Sequence, residues 1–456
     1  MPKKPSNRLG WYVFLSSVVL GCMVCQTGQG QTREEKVRGD KLRFETDGFW
    51  IYNDFSKAVA QAKQNGKPIL AVMRCVPCVE CVKLDDDLVE SHPKLQQLLK
   101  QFVRVRLIST NGIDLNLFQF DTDQSFNVFL FNADGTIYGR YGTRSDREHW
   151  EDDVSVAGMA DALEGALELH AEYPKNRDIL QKKKGPAPLF ASPEQFPTLK
   201  SKFGSSLDYS GNVVKSCIHC HQIGDAIKQY YWTTEQRLPE EVLFPYTHPK
   251  ALGLIMDPDT RGTVRSVVAG SMAEKAGFQS GDKVLRMDQQ PILSMADMQW
   301  VLHHTSAKGS KVACDILRGS QAQTLQLSLE DGWKEKDDIA WRVSSWELRR
   351  LALGGLFLKP LTDEEVKGAG LPSDSKAFRV QHVGQFAPHD GAKKAGFLKD
   401  DIVTKIDGRV DFTRETDVLA HVLKTHRPGD TMEVQLLRNG QKQILKLTVP
   451  PLNESK

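Results

Sequence analysis

The stretch that most constrains this chain is an unbroken apolar run, Ile69-Leu70-Ala71-Val72, leading through Met73-Arg74 into Cys75-Val76-Pro77-Cys78-Val79-Glu80-Cys81. Apolar residues without alternation read as a strand buried on both faces. Val79, Val82, Leu84 and Leu88 then fit a helix. Cys75 and Cys78 therefore fall where a buried strand gives way to a helix N-terminus. There the unpaired N–H groups and the helix dipole favour a thiolate on the first cysteine. The second, one turn on, can close a disulfide, and Pro77 gives up a donor that the first turn leaves unpaired anyway. Metal readings stay open beside the dithiol. Cys75, Cys78 and Cys81 begin the spacing of an iron–sulfur run, but its fourth position is Asp85. A zinc knuckle wants a second pair nearby, and none follows. Cys81 lies on the same helix face as Cys78, as an accessory thiol, a soft metal ligand or a small buried residue.

At 456 residues the chain exceeds one ordinary core, and about two to four domains are expected. A net charge of +2 and the lack of a long basic run argue against nucleic-acid binding as the main task. Eight cysteines are too few for a disulfide scaffold of this size. Lys3, Lys4 and Arg8 precede an apolar stretch from Trp11 to Val24, too short for a comfortable membrane span. Residues 1–30 thus read as a secretory signal. Val19-Leu20-Gly21-Cys22 resembles a bacterial lipobox, which implies lipidation of Cys22 and anchoring through the N-terminus. Export would place the thiols in the periplasm or cell envelope, where disulfides persist.

Residues 45–172 read as one domain. Asp54 is a helix N-cap before Phe55, Val59 and Ala62, and Asn65-Gly66 is the stop. Val103 to Leu107 and Phe126 to Phe131 are strands, the second joined through Asn132-Ala133-Asp134-Gly135 to Thr136–Tyr141 as a hairpin. An amphipathic helix follows near Val156 to Leu169. This order, with Cys-Val-Pro-Cys after a buried strand, resembles the thioredoxin family. The resemblance implies an α/β fold with Cys75 as the attacking thiol and Cys78 as the resolving one. The family's proline before the hairpin strand is absent: Gln124, Ser125 and Phe126 stand there.

From 173 to 200, Pro174, Pro186, Pro188, Pro193 and Pro197 share a segment with Lys182-Lys183-Lys184. This reads as a surface linker with little core, its lysines a solvated face. Within residues 201–247 stands Cys217-Ile218-His219-Cys220-His221, the c-type haem attachment signature. In such a site the two thiols add across the haem vinyl groups and His221 ligates the iron. His170, His248 and Met256 are the candidates for the sixth ligand. A second disulfide or a zinc half-site are the other readings of this motif.

The chain also repeats itself. Ala276-Gly277-Phe278-Gln279-Ser280-Gly281-Asp282 recurs as Ala395-Gly396-Phe397-Leu398-Lys399-Asp400-Asp401. With Gly270-Ser271-Met272-Ala273 leading in, this resembles the bacterial PDZ domain, placing one copy at 248–332 and a second at 345–451. PDZ domains bind by strand addition, with a partner's terminal carboxylate meeting loop N–H groups. The matching loops are Leu252-Gly253-Leu254 and Gly354-Gly355-Leu356. Cys314 falls in a strand of the first copy and reads as an inert buried thiol. Bacterial PDZ domains often follow a protease, but no G-x-S-x-G, G-N-S-G-G or H-E-x-x-H is present.

The expected fold class is multidomain α/β and α+β: a thioredoxin-like domain, a short haem c segment and two mostly-β PDZ domains. The combination resembles a group of exported bacterial thioredoxin-like/PDZ proteins, some with selenocysteine in the redox motif. It implies an extracytoplasmic redox protein that joins a dithiol to a covalent haem c carrier and docks on protein partners through its PDZ domains. The redox partner itself is not readable. The competing class is a non-enzymatic PDZ scaffold or assembly factor of the cell envelope with structural or metal-binding cysteines. Copper delivery by the cysteine trio is a third reading.

Overall fold

The computed structural model describes residues 32–74, 76, 93–124, 126–142 and 152–451. Cys22, Cys75, Cys78 and Cys81 lie outside the described residues.

The buried run forms the middle of a five-stranded sheet of order β1-β3-β2-β4-β5. Its strands are β1 (Ile51–Tyr52), β2 (Ile69–Arg74), β3 (Val103–Leu107), β4 (Phe126–Phe131) and β5 (Ile137–Tyr141). β1, β3 and β2 run parallel, while β4 and β5 are antiparallel additions. All six residues of β2 are buried because both faces are covered. The helices here are α1 (Arg33–Asp47), α2 (Phe55–Asn65), α3 (Pro93–Leu99) and α4 (Val156–Ala171). Leu70, Val72, Val128 and Leu130 face α3 and α4 through Leu99, Met159 and Leu163. Ile69, Ala71, Phe129 and Phe131 face the other way, against Ala58 and Ala62 of α2. Asp54 caps α2 by accepting from the Lys57 N–H, and Gly66 ends it at φ 68°.

The segment after this domain departs from expectation. Phe196, Leu199, Ile218, Ile223 and Ala226 complete the core on the α2 face of the sheet. Of the lysine run, Lys183 is 1% exposed and lies 2.9 Å from Asp297 in a buried ion pair, while Lys182 stays 40% exposed. The prolines break regular structure, but the apolar residues between them still need cover, and the sheet supplies it. One longer helix follows, α5 (Cys220–Thr233).

Two units of the repeated type close the chain. The first has a hairpin (Leu254–Met256 with Val264–Val267), a four-stranded sheet and helix α6 (Met295–His303). Helix α7 (Ser345–Leu353) leads into the second, a five-stranded sheet starting at Leu356–Pro360 with helix α8 (Glu415–Thr425). The repeated motif is a structural staple. Asp282 accepts from the Gln279 N–H and both guanidinium arms of Arg318, and Asp401 does the same with Leu398 and Arg438. Asp400, where the first copy has Gly281, holds the glycine-type backbone at φ 68°.

Candidate functional site

β2 ends at Arg74, the residue that directly precedes Cys75. Arg74 is buried and paired with Asp40 of α1, a helix the sequence did not announce. Beside this end lies the loop after β3, and the second cysteine motif docks on it. Thr110 donates to the Ile218 carbonyl from its N–H (3.0 Å) and its hydroxyl (2.9 Å). The Asn111 side chain accepts from the Ile218 N–H (2.8 Å) and donates to the Ser216 carbonyl (2.9 Å). Ile218, wholly buried, is the apolar plug of this contact. Arg74, Ser109, His219 and Cys220 therefore line one small gap of about 10 Å³. The contact gathers Cys217–His221 at the end of β2, whose last residue is Arg74.

α5 starts at Cys220, with His219 as its N-cap and the Gln222 side chain accepting from the His219 N–H at 2.8 Å. The His219 and His221 rings stack in parallel, 5.8 Å apart. Burial lowers both pKa values, His219 to about 4, so both rings are neutral at pH 7. Burial also pushes the Cys217 thiol up to about 12. Cys217 faces the Ile108 carbonyl at 4.0 Å, and no disulfide joins it to Cys220.

The gap beside Cys220 is small against a haem. The gap of about 10 Å³ compares with the roughly 300–1,000 Å³ of a cofactor-sized pocket. The proposed sixth ligands are engaged elsewhere. His170 bonds the Tyr138 hydroxyl (2.8 Å) and the Gly66 carbonyl (2.9 Å), His248 lies 3.3 Å from Asp153, and Met256 is buried within the first C-terminal unit. Nor do Cys217, Cys220 and the two histidines enter any three-ligand metal cluster among the described residues.

A buried ionic network, missed in the sequence, occupies the loop before β4. Arg342 donates to both Asp121 oxygens (2.8 and 2.7 Å). Asp123 accepts from the Ser344 N–H (2.7 Å) and hydroxyl (2.8 Å), and Lys228 of α5 donates to the same hydroxyl (2.8 Å). Burial works to raise the Asp123 pKa, but Lys228, Arg342 and the Ser344 hydrogen bonds outweigh it and the net shift is downward. Asp225, one turn before Lys228, is pushed up to about 7 by burial. Asp121 and Asp123, just before the Gln124-Ser125-Phe126 stretch where the thioredoxin resemblance leads one to look for proline, are thus tied to Arg342 and Ser344 on the approach to α7, and through Ser344 to Lys228 of α5. Only the clustering of Asp121 and Asp123 hinted at this.

The two carboxylate loops are placed differently. In the first unit, Gly253 takes φ 86° and its N–H donates to the Lys250 carbonyl (3.0 Å). Met295 to Leu302 are all buried. Much of that cover is the sheet domain. Ser294 donates to the Arg140 carbonyl (2.6 Å), and Asp297 accepts from the Arg140 N–H (3.2 Å). Arg261 binds Asp161 of α4 at 2.8 Å. In the second unit, the N–H groups of Gly354 and Gly355 both donate to the Arg349 carbonyl at the end of α7. The next strand N–H on that edge, from Leu358, donates to Glu415 (2.8 Å), which Arg349 also binds (2.5 and 3.0 Å). Cys314 is buried in the first unit with its pKa raised to about 12, in keeping with an inert thiol.

Residues 50–133 match the Thioredoxin-like family, and residues 250–329 and 368–449 each match the PDZ domain family. The chain is a multidomain protein with a thioredoxin-like domain and two PDZ domains. The chain is similar to the serine protease Do-like HtrB of Bacillus subtilis, 34% identical over 79 residues, or 17% of each chain. It is also similar to the periplasmic pH-dependent serine endoprotease DegQ of Escherichia coli, 25% identical over 152 residues, covering 33% of this chain and 29% of that one. The chain thus spans less than a third of the length of either relative. A solved structure, the HtrA-type protease AlgW with decapeptide, aligns at 23% identity and a TM-score of 0.20, covering 31% of this chain and 41% of that chain. No described helix is long and apolar enough to cross a membrane.

Proposed function

We propose that the chain is an extracytoplasmic thiol–disulfide exchange protein whose reactive centre lies at the C-terminal edge of the thioredoxin-like sheet. The observation that carries this is the docking of Cys217–His221 beside Arg74, one residue before Cys75. In the reaction, the Cys75 thiolate attacks one sulfur of a partner disulfide. The partner's other sulfur leaves as a thiolate and takes up a proton. Cys78 loses its proton, attacks the Cys75 sulfur and releases the second partner thiol. Two electrons reach the partner, and Cys75–Cys78 becomes the disulfide. Cys220, at the first position of α5, then serves as the next attacking thiol on that disulfide. Cys217, protonated at rest by burial, passes its proton to the departing thiolate of the first pair as it attacks the Cys220 sulfur, leaving Cys75 and Cys78 reduced and Cys217–Cys220 as the disulfide. The export signal and the periplasmic relatives support the location. Partner proteins with free C-termini suit the PDZ domains once their loops are released from the chain's own contacts.

Insulin reduction and thiol oxidation by wild type beside Cys75→Ser test the reading. Loss of activity is expected, and full activity in the variant overturns the role of Cys75. A denatured haemochrome spectrum of protein made in a host with haem c maturation separates the dithiol from a haem attached at Cys217 and Cys220. The second reading, a scaffold, is favoured by the absence of proline at Gln124-Ser125-Phe126, where the thioredoxin resemblance leads one to look for it. It predicts no Cys75-dependent activity.

A further inference from the structure

A histidine pair and one carboxylate converge on the second PDZ domain, away from every cysteine. Asp407 sits in the tight turn after the strand Ile402–Ile406, at φ 49°, with Gly408 following at φ 79°. His421 lies in the last turns of α8, and His426 is the residue that caps it. Five residues along a continuous helix rotate by roughly 140°, which would point these two rings apart. They converge because His426 leaves the helix, its backbone turning extended at φ −104°, ψ 160°. His421 Nε2 then lies 2.7 Å from Asp407 Oδ2, and His426 Nε2 lies 3.7 Å from Asp407 Oδ1. One ligand atom from each of the three residues falls within 4.8 Å of the others.

The first contact is a hydrogen bond and needs no further explanation. The second is not, since 3.7 Å is too long. Yet His426 is turned so that Nε2 faces the carboxylate, while its Nδ1 is engaged by the Thr425 hydroxyl at 2.9 Å. A hydrogen bond at the other ring nitrogen is what orients a metal-binding imidazole. Donors about 2.0–2.2 Å from a shared zinc ion in tetrahedral geometry stand roughly 3.3–3.6 Å apart. The two histidine–carboxylate distances, 2.7 Å to Oδ2 and 3.7 Å to Oδ1, lie either side of that separation, and all three ligand atoms fall within 4.8 Å of one another. Both imidazoles are 13% exposed and Asp407 is 33% exposed. His421 also borders a cavity of about 350 Å³. Neighbouring cations oppose a metal less than their number suggests. Arg409, 3.5 Å from His421 Nδ1, is held by both oxygens of Asp411, and Lys424 is held by Glu240 and Glu335.

We propose that Asp407, His421 and His426 form a site for a borderline-soft divalent transition ion, zinc foremost, with a water completing the coordination. Two imidazoles and one carboxylate with an open position suit zinc and its cobalt surrogate better than calcium or magnesium, which prefer oxygen. The site belongs to the second PDZ domain and stands whether or not the cysteines are redox-active.

The test is Co²⁺ titration of the metal-free, full-length protein, read in the visible and near-ultraviolet, followed by competition with Zn²⁺. A saturable visible band without a thiolate charge-transfer band is expected, displaced by Zn²⁺. His426→Gln should weaken binding at least tenfold and change the melting temperature of the metal-free protein little, because His426 makes no hydrogen bond to Asp407 and its bond to the Thr425 hydroxyl is exposed. Asp407→Asn should also abolish it. No visible band, or a band that carries thiolate charge transfer and persists in His426→Gln, overturns the site.

Discussion

Replacing Glu415 with alanine should open the edge strand of the second PDZ domain. Glu415 is 2% exposed, and Arg349, its partner on α7, is 3% exposed. The carboxylate accepts from Arg349 and from the Leu358 N–H, so one side chain ties α7, α8 and the strand Leu356–Pro360 together. Removing one member of a buried ion pair costs about 3–5 kcal/mol, because the other charge stays buried. The orphaned Leu358 N–H puts this case at the upper end. At about 1.4 kcal/mol per tenfold, local opening of the strand should become roughly 10²- to 10⁴-fold more frequent. Hydrogen exchange of the full-length protein, followed by mass spectrometry of a peptide spanning Leu356–Pro360, reads this directly. Glu415→Gln keeps an acceptor for Leu358 and should fall between the two. Adding Arg349→Met to Glu415→Ala removes the stranded charge and should restore part of the protection. Exchange in Glu415→Ala within threefold of wild type would refute the reasoning: α7 and α8 would then hold the strand by packing alone, through residues such as Leu348, Leu351 and Leu419.

Two further outcomes follow from buried charge elsewhere. Lys183→Met should lower stability by about 3 kcal/mol, the low end for a broken buried pair, because Asp297 keeps the Arg140 and Leu293 N–H bonds; Lys182→Met, at an exposed pair, should cost under about 1 kcal/mol, and equal denaturation midpoints for the two would contradict the burial argument. Asp225 holds its proton up to about pH 7 in the folded chain but only to about 4 when unfolded, so the folded state binds the extra proton between these values and stability falls as pH rises through them. Asp225→Asn should remove that fall, matching wild type near pH 4 and exceeding it at pH 8 by at most about 4 kcal/mol, as denaturant midpoints at the two pH values would report. The lowered His219 and His221 act in the opposite sense at acid pH but are common to both proteins, so a pH-independent difference would discount the burial of Asp225.

The sheet domain was legible because its signals are local. The Ile69–Val72 run could only be a covered strand, and Asp54 and Gly66 bracketed α2. The hairpin of β4 and β5 was announced by Asn132-Ala133-Asp134-Gly135, and the repeat gave both PDZ domains by pattern alone. α1 was not legible: it carries little apolar periodicity and is held by a capping box and by Asp40 reaching Arg74, neither of which a hydrophobic pattern records. The lysine run misled for a related reason. A lysine reads as solvated until its partner is known, and Asp297 stands more than a hundred residues away in sequence.

The same limit explains the second cysteine motif. C-x-x-C-H specifies a set of atoms and says nothing of what lies against them. Its tertiary surroundings here are Thr110 and Asn111, which grip the backbone around Ile218 and turn Cys217 inward. Those contacts hold the motif against the end of β2, beside Arg74. The PDZ loops repeat the lesson. Gly354 and Gly355 were read as a cradle for a partner's carboxylate, and the backbone is indeed left-handed at both. The sequence could not say that the carbonyl of Arg349 is already in that cradle, because a helix C-terminus and a peptide C-terminus satisfy the same N–H groups. A partner must therefore outcompete an intramolecular acceptor held at high effective concentration, so affinity at this loop is set by the stability of α7 as much as by the groove.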